Sequence, residues 1–266
     1  MASEGLFTWD LARGTMDVSA LTAVDHIVHL AGAGIADKRW TKERVQELIT
    51  SRVASVRLLL RATREHGAKP KSFVSAAGVG YYGAETSAHI YTETDPPGTD
   101  TIARISKEWE SAVDEWAGHC RVVKLRTPVV LAREGGALPK LARTIRWGIG
   151  SPLGTGKQWM PWVHVDDLVS AYQRAISDDH MSGAYNVVGG NATNAELMRT
   201  MALVMEKPFF LPHVPGAALK VLLGEMADVL LEGSCASSER LLSERFAFKH
   251  ASLEEALRDL LVKDLS

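Results

Sequence analysis

Between Asp25 and Gly34 the sequence reads Asp-His-Ile-Val-His-Leu-Ala-Gly-Ala-Gly, a short apolar run that exits into small residues. It is too short for a helix, and Gly32 and Gly34 punctuate it, so it predicts a buried parallel strand with a tight exit. From Thr41 the apolar positions shift to three- and four-residue spacing through Val45, Leu48, Ile49, Val53, Val56, Leu59 and Leu60. That period predicts a long helix capped by Thr41 and closed at Gly67. Lys71–Ala77 is the next apolar run. Strand, long helix and strand over roughly fifty residues make a βαβ unit, whose right-handed crossover leaves parallel neighbours.

The alternation continues past Gly78-Val79-Gly80-Tyr81-Tyr82-Gly83. A polar loop is followed by a predicted helix from Asp100 to Ala117 and a strand from Arg121 to Val130. Then come a helix through Trp147, a loop with four glycines (148–156), an extended piece from Trp159 to Val165 and a helix from Asp166 to Ser177. A strand at 184–188, a helix capped by Thr193 and two amphipathic tail helices, 216–231 and 253–262, complete the pattern. Upstream, Leu6–Asp10 reads as extended, Gly14 as a turn and Val18–Thr22 as helix-like. Strands alternating with helices predict an α/β fold.

Composition narrows the picture little further. The chain has 266 residues, enough to bury a sizeable core without staples. Cys120 and Cys235 stand apart with no metal-type spacing, which reads as two reduced structural thiols in a reducing compartment. Lys and Arg number 30 against 32 Asp and Glu, a formal charge of −2 with the signs interspersed. Bulk charge therefore gives no reason to expect nucleic acid or an anionic membrane as partner. The longest apolar stretch, Pro215–Leu231, is broken by Lys220, Glu225 and Asp228 and is not a membrane span. Met-Ala-Ser-Glu-Gly has neither the basic nor the apolar region of a secretory signal, so a cytoplasmic location is expected.

Several segments resemble the extended short-chain dehydrogenase/reductase superfamily, and within it the epimerase family protein branch. They are Thr8-Trp9-Asp10, His29-Leu30-Ala31-Gly32, Lys38-Arg39-Trp40-Thr41, Ser51-Arg52-Val53, Gly78–Gly83, Lys107-Glu108-Trp109-Glu110, Leu125-Arg126-Thr127, Gly135–Leu138, Pro152–Met160, Trp162–Leu168 and Leu253–Leu261. They occur in order along almost the whole chain. The resemblance implies a Rossmann-type, doubly wound parallel sheet over residues 1–150, with strands near 163–165 and 184–188 returning to it. Residues 151–266 would form a small mixed α/β substrate lobe with a helical tail.

The same resemblance implies NADP as cofactor, with NAD as the alternative, and a small-molecule, sugar-like substrate, with a homodimer as the candidate assembly. The family opens with a strand, a GxxGxxG turn, a helix and a second strand that would stand before Thr8. Their absence from this sequence makes it read as N-terminally truncated, with the Asp25–Leu30 strand left as an exposed apolar edge. By the resemblance Leu30, Ala31 and Gly32 line the dinucleotide. Glu47 and Arg52 reach the ribose or a phosphate, and Thr127 with Val129 lies beneath the nicotinamide end. A guanidinium suits a phosphate because it binds it bidentately.

The catalytic pattern is thinner. Relatives use a Ser or Thr and a Tyr-x-x-x-Lys pair, in which the Lys helps the phenol to exchange a proton during hydride transfer. Alignment on Lys107 puts Ala103 at the tyrosine's place, and Ala77 falls near the hydroxyl position with Ser75 two residues before it. Tyr81 or Tyr82 is the substitute acid the residues offer. Catalytic candidates are thus Tyr81, Tyr82, Lys107 and Ser75, and the competing reading is a dinucleotide-binding or interaction protein without turnover. His164, beside Asp166 and Asp167, reads as a hydrogen-bonded strand residue with one of the aspartates capping the next helix, and no metal site is expected. Trp40, Trp147, Trp159 and Trp162 are candidates for an apolar wall of the cleft, and Lys157 and Gln158 for contacts to an anionic or sugar-like substrate.

Overall fold

Thr41 caps the longest helix as its spacing predicts: extended at φ −111°, it accepts a hydrogen bond from the Arg44 amide. The computed structural model describes residues 5–22 and 24–262. In chain order the first half holds β1 (Trp9–Asp10), β2 (Thr15–Met16), β3 (His26–His29), α1 (Lys42–Glu65), β4 (Ser72–Gly78), β5 (Ile90–Tyr91), α2 (Thr101–Asp114), β6 (Arg121–Thr127) and β7 (Val129–Leu131). The second half holds α3 (Leu138–Arg146), β8 (Trp159–His164), α4 (Val165–Ser177), β9 (Gly183–Asn186), β10 (Gly190–Thr193), α5 (Asn194–Val204), α6 (Gly216–Leu223), α7 (Met226–Leu231), β11 (Cys235–Ala236), α8 (Glu239–Ser243) and α9 (Leu253–Val262).

The main sheet is parallel throughout, in the order β3-β4-β6-β9. Successive residues point to opposite faces, and the rows in register show what each face buries. Ile27, Phe73 and Val122 form one row, packed with Val56 and Leu60 of α1 and Trp109 and Val113 of α2. Phe73 also stacks on Trp116 at 4.1 Å. Val74, Val123 and Leu125 face the other way, onto Ala171 and Ala175 of α4. Helices thus cover both faces, the doubly wound arrangement. Among the described residues β3 forms an edge of this sheet, with Val28 39 % and Leu30 64 % exposed.

A second sheet, β10-β8-β7, packs against α3, α5 and α9 around Leu131, Trp162, Leu197, Met201 and Leu257. It corrects one expectation. The strand at 163–165 belongs to β8, which pairs with β7 and does not return to the main sheet; the strand near 184–188, as β9, does. Pro128 supplies the reason, because its missing N–H ends the β6 ladder and the chain bends from one sheet into the other. The predicted single helix at 216–231 is likewise two, α6 and α7. Gly224, at φ 62°, breaks it where its backbone bridges to Trp40.

A buried ion pair ties these layers together. Arg126 on β6 forms a paired hydrogen bond to Glu110 on α2, at 2.8 and 3.0 Å, with both side chains about 4 % exposed. Lys124 reaches the same carboxylate at 3.3 Å. Removing the anion from such a pair leaves a guanidinium buried without a counter-charge. Glu110→Ala is expected to lower the unfolding free energy by about 3 kcal/mol in denaturant titrations, and Glu110→Leu with Arg126→Met to recover most of that loss.

Candidate active site

The carboxyl ends of β3, β4 and β6 open on one edge of the sheet, and the residues that resemblance singles out lie along it. After β3 the chain turns through Ala31 and Gly32. A Cβ on Gly32 would come about 3.0 Å from Cγ and Cζ of Arg52, so a larger residue there would push that guanidinium back by a few tenths of an ångström. Arg52, 6 % exposed, donates to the Leu48 carbonyl at 2.9 Å and lies 5.0 Å over the Trp109 ring, but its buried Nε has no hydrogen-bond partner. Burial, followed by the nearby Arg44, pushes the Arg52 guanidinium down to about 10. Arg44 donates to the Gly34 carbonyl at 2.6 Å and pairs with Glu47 at 2.8 Å, and Ser51 accepts from the Ala33 amide at 3.0 Å. Gly32, Glu47 and Arg52 are therefore brought to one wall, joined by Arg44 and Ser51. Those last two could have been found in the sequence as neighbours on one helix face.

His29 closes the inner end of this wall. Ser55 donates its hydroxyl to the Ser51 carbonyl at 2.8 Å, so at 2.8 Å from Nε2 it accepts the imidazole proton. Nδ1 of His29 is then buried with no partner. Burial, with a lesser effect of Arg52, pushes this imidazole down to about 4.

At β4 and β6 the catalytic candidates separate. Ser75 is fully buried and donates to the Ala76 carbonyl at 2.8 Å, whereas Lys107 is exposed on α2 and Ala103 is buried. Tyr82 ends a 3-10 turn, Val79–Tyr82, that leaves β4. Its hydroxyl donates to Asn186 Oδ1 and accepts from Arg126 Nη1, both at 2.8 Å. Burial pushes this phenol up to about 12, against the opposing pull of Arg126. Tyr81, half-buried, lays its ring 3.6 Å from the Arg126 guanidinium carbon. The structure thus brings Tyr81 and Tyr82 together on Arg126 and leaves Lys107 on the solvent side of α2. Thr127, opposite Gly78 in register, donates to the Leu125 carbonyl, and Val129 opens β7.

Other candidates fall elsewhere. The four tryptophans do not form one wall: Trp40 and Trp162 are buried in separate clusters, Trp159 donates to the Ser87 carbonyl, and Trp147 is on the surface. Lys157 is exposed, while Gln158 is buried and donates to the carbonyls of Leu153 and Leu230. His164 is itself the N-cap of α4, its Nδ1 accepting from the Asp166 amide at 3.1 Å. Asp167 instead accepts from the amides of Lys249 and His250. His164 stacks on His250 at 3.7 Å, and with Asp259 the three place ligand-type atoms within 4.8 Å of one another. Because Nδ1 of His164 accepts a hydrogen bond, Nε2 holds the proton and offers no lone pair to an ion. Burial and then His250 lower the affinity of His164 for a second proton.

Comparison with known proteins adds to this geometry. Residues 7–188 match the model of the NAD dependent epimerase/dehydratase family, and residues 214–260 match a domain of unknown function, DUF1731. The epimerase family protein SDR39U1 of Mus musculus is 31 % identical, across 97 % of this chain and 87 % of its own length. An epimerase family protein of Mycobacterium leprae is 35 % identical across 94 % of this chain and 81 % of its own. The crystal structure of human SDR39U1 (isoform 2) with NADPH superposes with a TM-score of 0.85 at 30 % identity, covering 93 % of this chain and 86 % of that one.

His29 generates a pH dependence. Its folded affinity for protons lies below that of the free side chain, so the folded form binds fewer protons and stability falls as pH falls. The loss should run from about 6.5 down to about 4 and reach about 3 kcal/mol. Denaturation midpoints measured across that range should flatten in His29→Phe.

Proposed function

The chain belongs to the NAD dependent epimerase/dehydratase family, and on that premise we propose that it holds NADP(H) along the carboxyl ends of β3, β4 and β6, with NAD(H) as the weaker ligand. The observation that carries this reading is the buried Arg52 guanidinium, pressed against Gly32 with its Nε unanswered. A buried cation with an open donor is costly unless an anion completes it, and a ligand phosphate is such an anion. The NADPH in the crystal structure of the human relative supports the phosphorylated dinucleotide over the plain one.

In this reading the backbone at Leu30, Ala31 and Gly32 lies along the dinucleotide, Arg52 meets a phosphate, Glu47 meets a ribose hydroxyl, and Thr127 with Val129 supports the nicotinamide end. The bound cofactor would supply a hydride acceptor or donor. What the chain itself contributes to proton transfer is limited. Tyr82 spends its hydroxyl on Asn186 and Arg126, Ser75 spends its own on the backbone, and Ala103 has no acid to offer. Tyr81, over the Arg126 cation, is the phenol best placed to exchange a proton with a small, sugar-like substrate. The second reading, a dinucleotide-binding protein without turnover, is favoured by that same shortage of acids.

Calorimetric titration tests the binding step. NADPH is expected to bind more tightly than NADH, and Arg52→Met to weaken NADPH by about tenfold or more, as expected for a lost hydrogen bond to a charged group. Undiminished affinity in Arg52→Met would sink the assignment of the phosphate to Arg52. For the chemistry, nicotinamide absorbance is followed with nucleotide sugars as substrates. Loss of turnover in Tyr81→Phe supports the enzyme reading, and no turnover by the unmodified chain supports the silent one.

A further inference from the structure

The second sheet carries a surface whose charge differs from that of the whole molecule. On α3, Leu138, Ala142 and Ile145 enter the core, while Lys140, Arg143 and Arg146 face solvent, and the helix contains no acidic residue. Trp147 continues the Lys140 and Arg143 stripe at helical spacing and is 69 % exposed, with Arg143 5.6 Å from its ring centre. Ile149, two residues on, is 56 % exposed.

A neighbouring segment extends the patch. Leu153 and Val214 bridge in parallel and the Ser151 hydroxyl donates to the Pro212 carbonyl, so the segment that carries Phe210 runs along the one that follows α3. Phe209 packs into the cluster that contains Ile145, while Phe210 is 76 % exposed and Lys207 is exposed three residues before it. Among the described residues no ion pair engages Lys140, Arg143, Arg146 or Lys207. Four cations that form no ion pair among the described residues thus accompany three large exposed apolar side chains, Trp147, Ile149 and Phe210, with Glu206 beside Lys207 as the one adjacent acid.

We infer that this face docks on an anionic lipid bilayer. Charge complementarity selects an anionic partner, because local cations respond to a surface within a Debye length whatever the net charge. The apolar tips select lipid over nucleic acid. Indole and phenyl groups sit at the level of lipid headgroups, and an aliphatic tip such as Ile149 gains from the acyl boundary but has nothing to stack on in a nucleic acid. No helix among the described residues is long and apolar enough to cross a membrane, so the contact is peripheral.

The full chain is tested by flotation with vesicles of phosphatidylcholine alone or containing about one-third phosphatidylglycerol. The unmodified chain is expected to float with the anionic vesicles and not with the neutral ones. Arg143→Glu with Arg146→Glu should lower that binding by about thirtyfold or more at low salt. Trp147→Ser with Phe210→Ser should lower it at raised salt as well, with thermal melting confirming that both variants fold. Failure of the unmodified chain to float overturns the inference. So does undiminished flotation of the Trp147 and Phe210 variant, or tight duplex DNA binding that this variant retains.

Discussion

A carboxylate buried inside the main layer decides how the functional end of this protein is arranged. Glu110 reaches from α2 to take both arms of the Arg126 fork, and what remains of that guanidinium is spent on two tyrosines. Burial alone would lower the Arg126 guanidinium, and the hydrogen-bonded Glu110 more than offsets it, so the cation is secure. From there the constraint spreads. Arg126 donates to Tyr82, Tyr82 donates to Asn186, and Asn186 takes the Glu93 carboxylate on its amide and the Ser237 carbonyl on its side chain. One pair therefore links helix, sheet, the 90s loop and the tail. Tyr91, stacked 4.9 Å over Tyr82, closes the same region from above.

Much of the fold is legible in the chain because its layers obey the two simple periods. α1 starts at its threonine cap, α5 at the capping box of Thr193 and Glu196, and the parallel strands fall within a residue or two of their apolar runs. What escapes local pattern is what depends on distant partners. β5 and β11 are two residues each and exist because Ile90 and Tyr91 meet Cys235 and Ala236. Pro128 was visible, but that it divides one strand between two sheets is a tertiary fact.

The site was legible unevenly, for a related reason. Gly32 and Arg52 stand out by residue type, and the fold presses one against the other. His164 announces itself beside two aspartates, yet its role as a cap follows from the backbone turn into α4, and its stacking partner His250 comes from the far tail. Tryptophans advertise apolar area without saying which side of the molecule will use it, and Trp40, Trp147, Trp159 and Trp162 are divided among two cores, a contact with the Ser87 carbonyl and the surface. Tyr82 looks like an available phenol until Asn186 arrives from β9 to accept its hydrogen bond.

Arg126 and Arg52, both buried, bear differently on the proposed binding and on any proton chemistry. Arg126 is answered twice over, by Glu110 and by Tyr82, and burial holds that phenol near 12 despite the opposing pull of Arg126, unsuited to give or take a proton near neutrality. Arg52 is answered by a backbone carbonyl and the face of Trp109 but, among the described residues, by no carboxylate, and burial holds it near 10, which leaves attraction to spare for an anion that enters the crevice. An unanswered cation can gain a phosphate without disturbing its neighbours. A phenol in a closed network can act as an acid only by surrendering a bond that joins β4, β6 and β9. Holding a dinucleotide, as proposed, is therefore the easier task for this arrangement, and Tyr81, which lies on Arg126 through its ring, is the one of the two phenols not tied into that network.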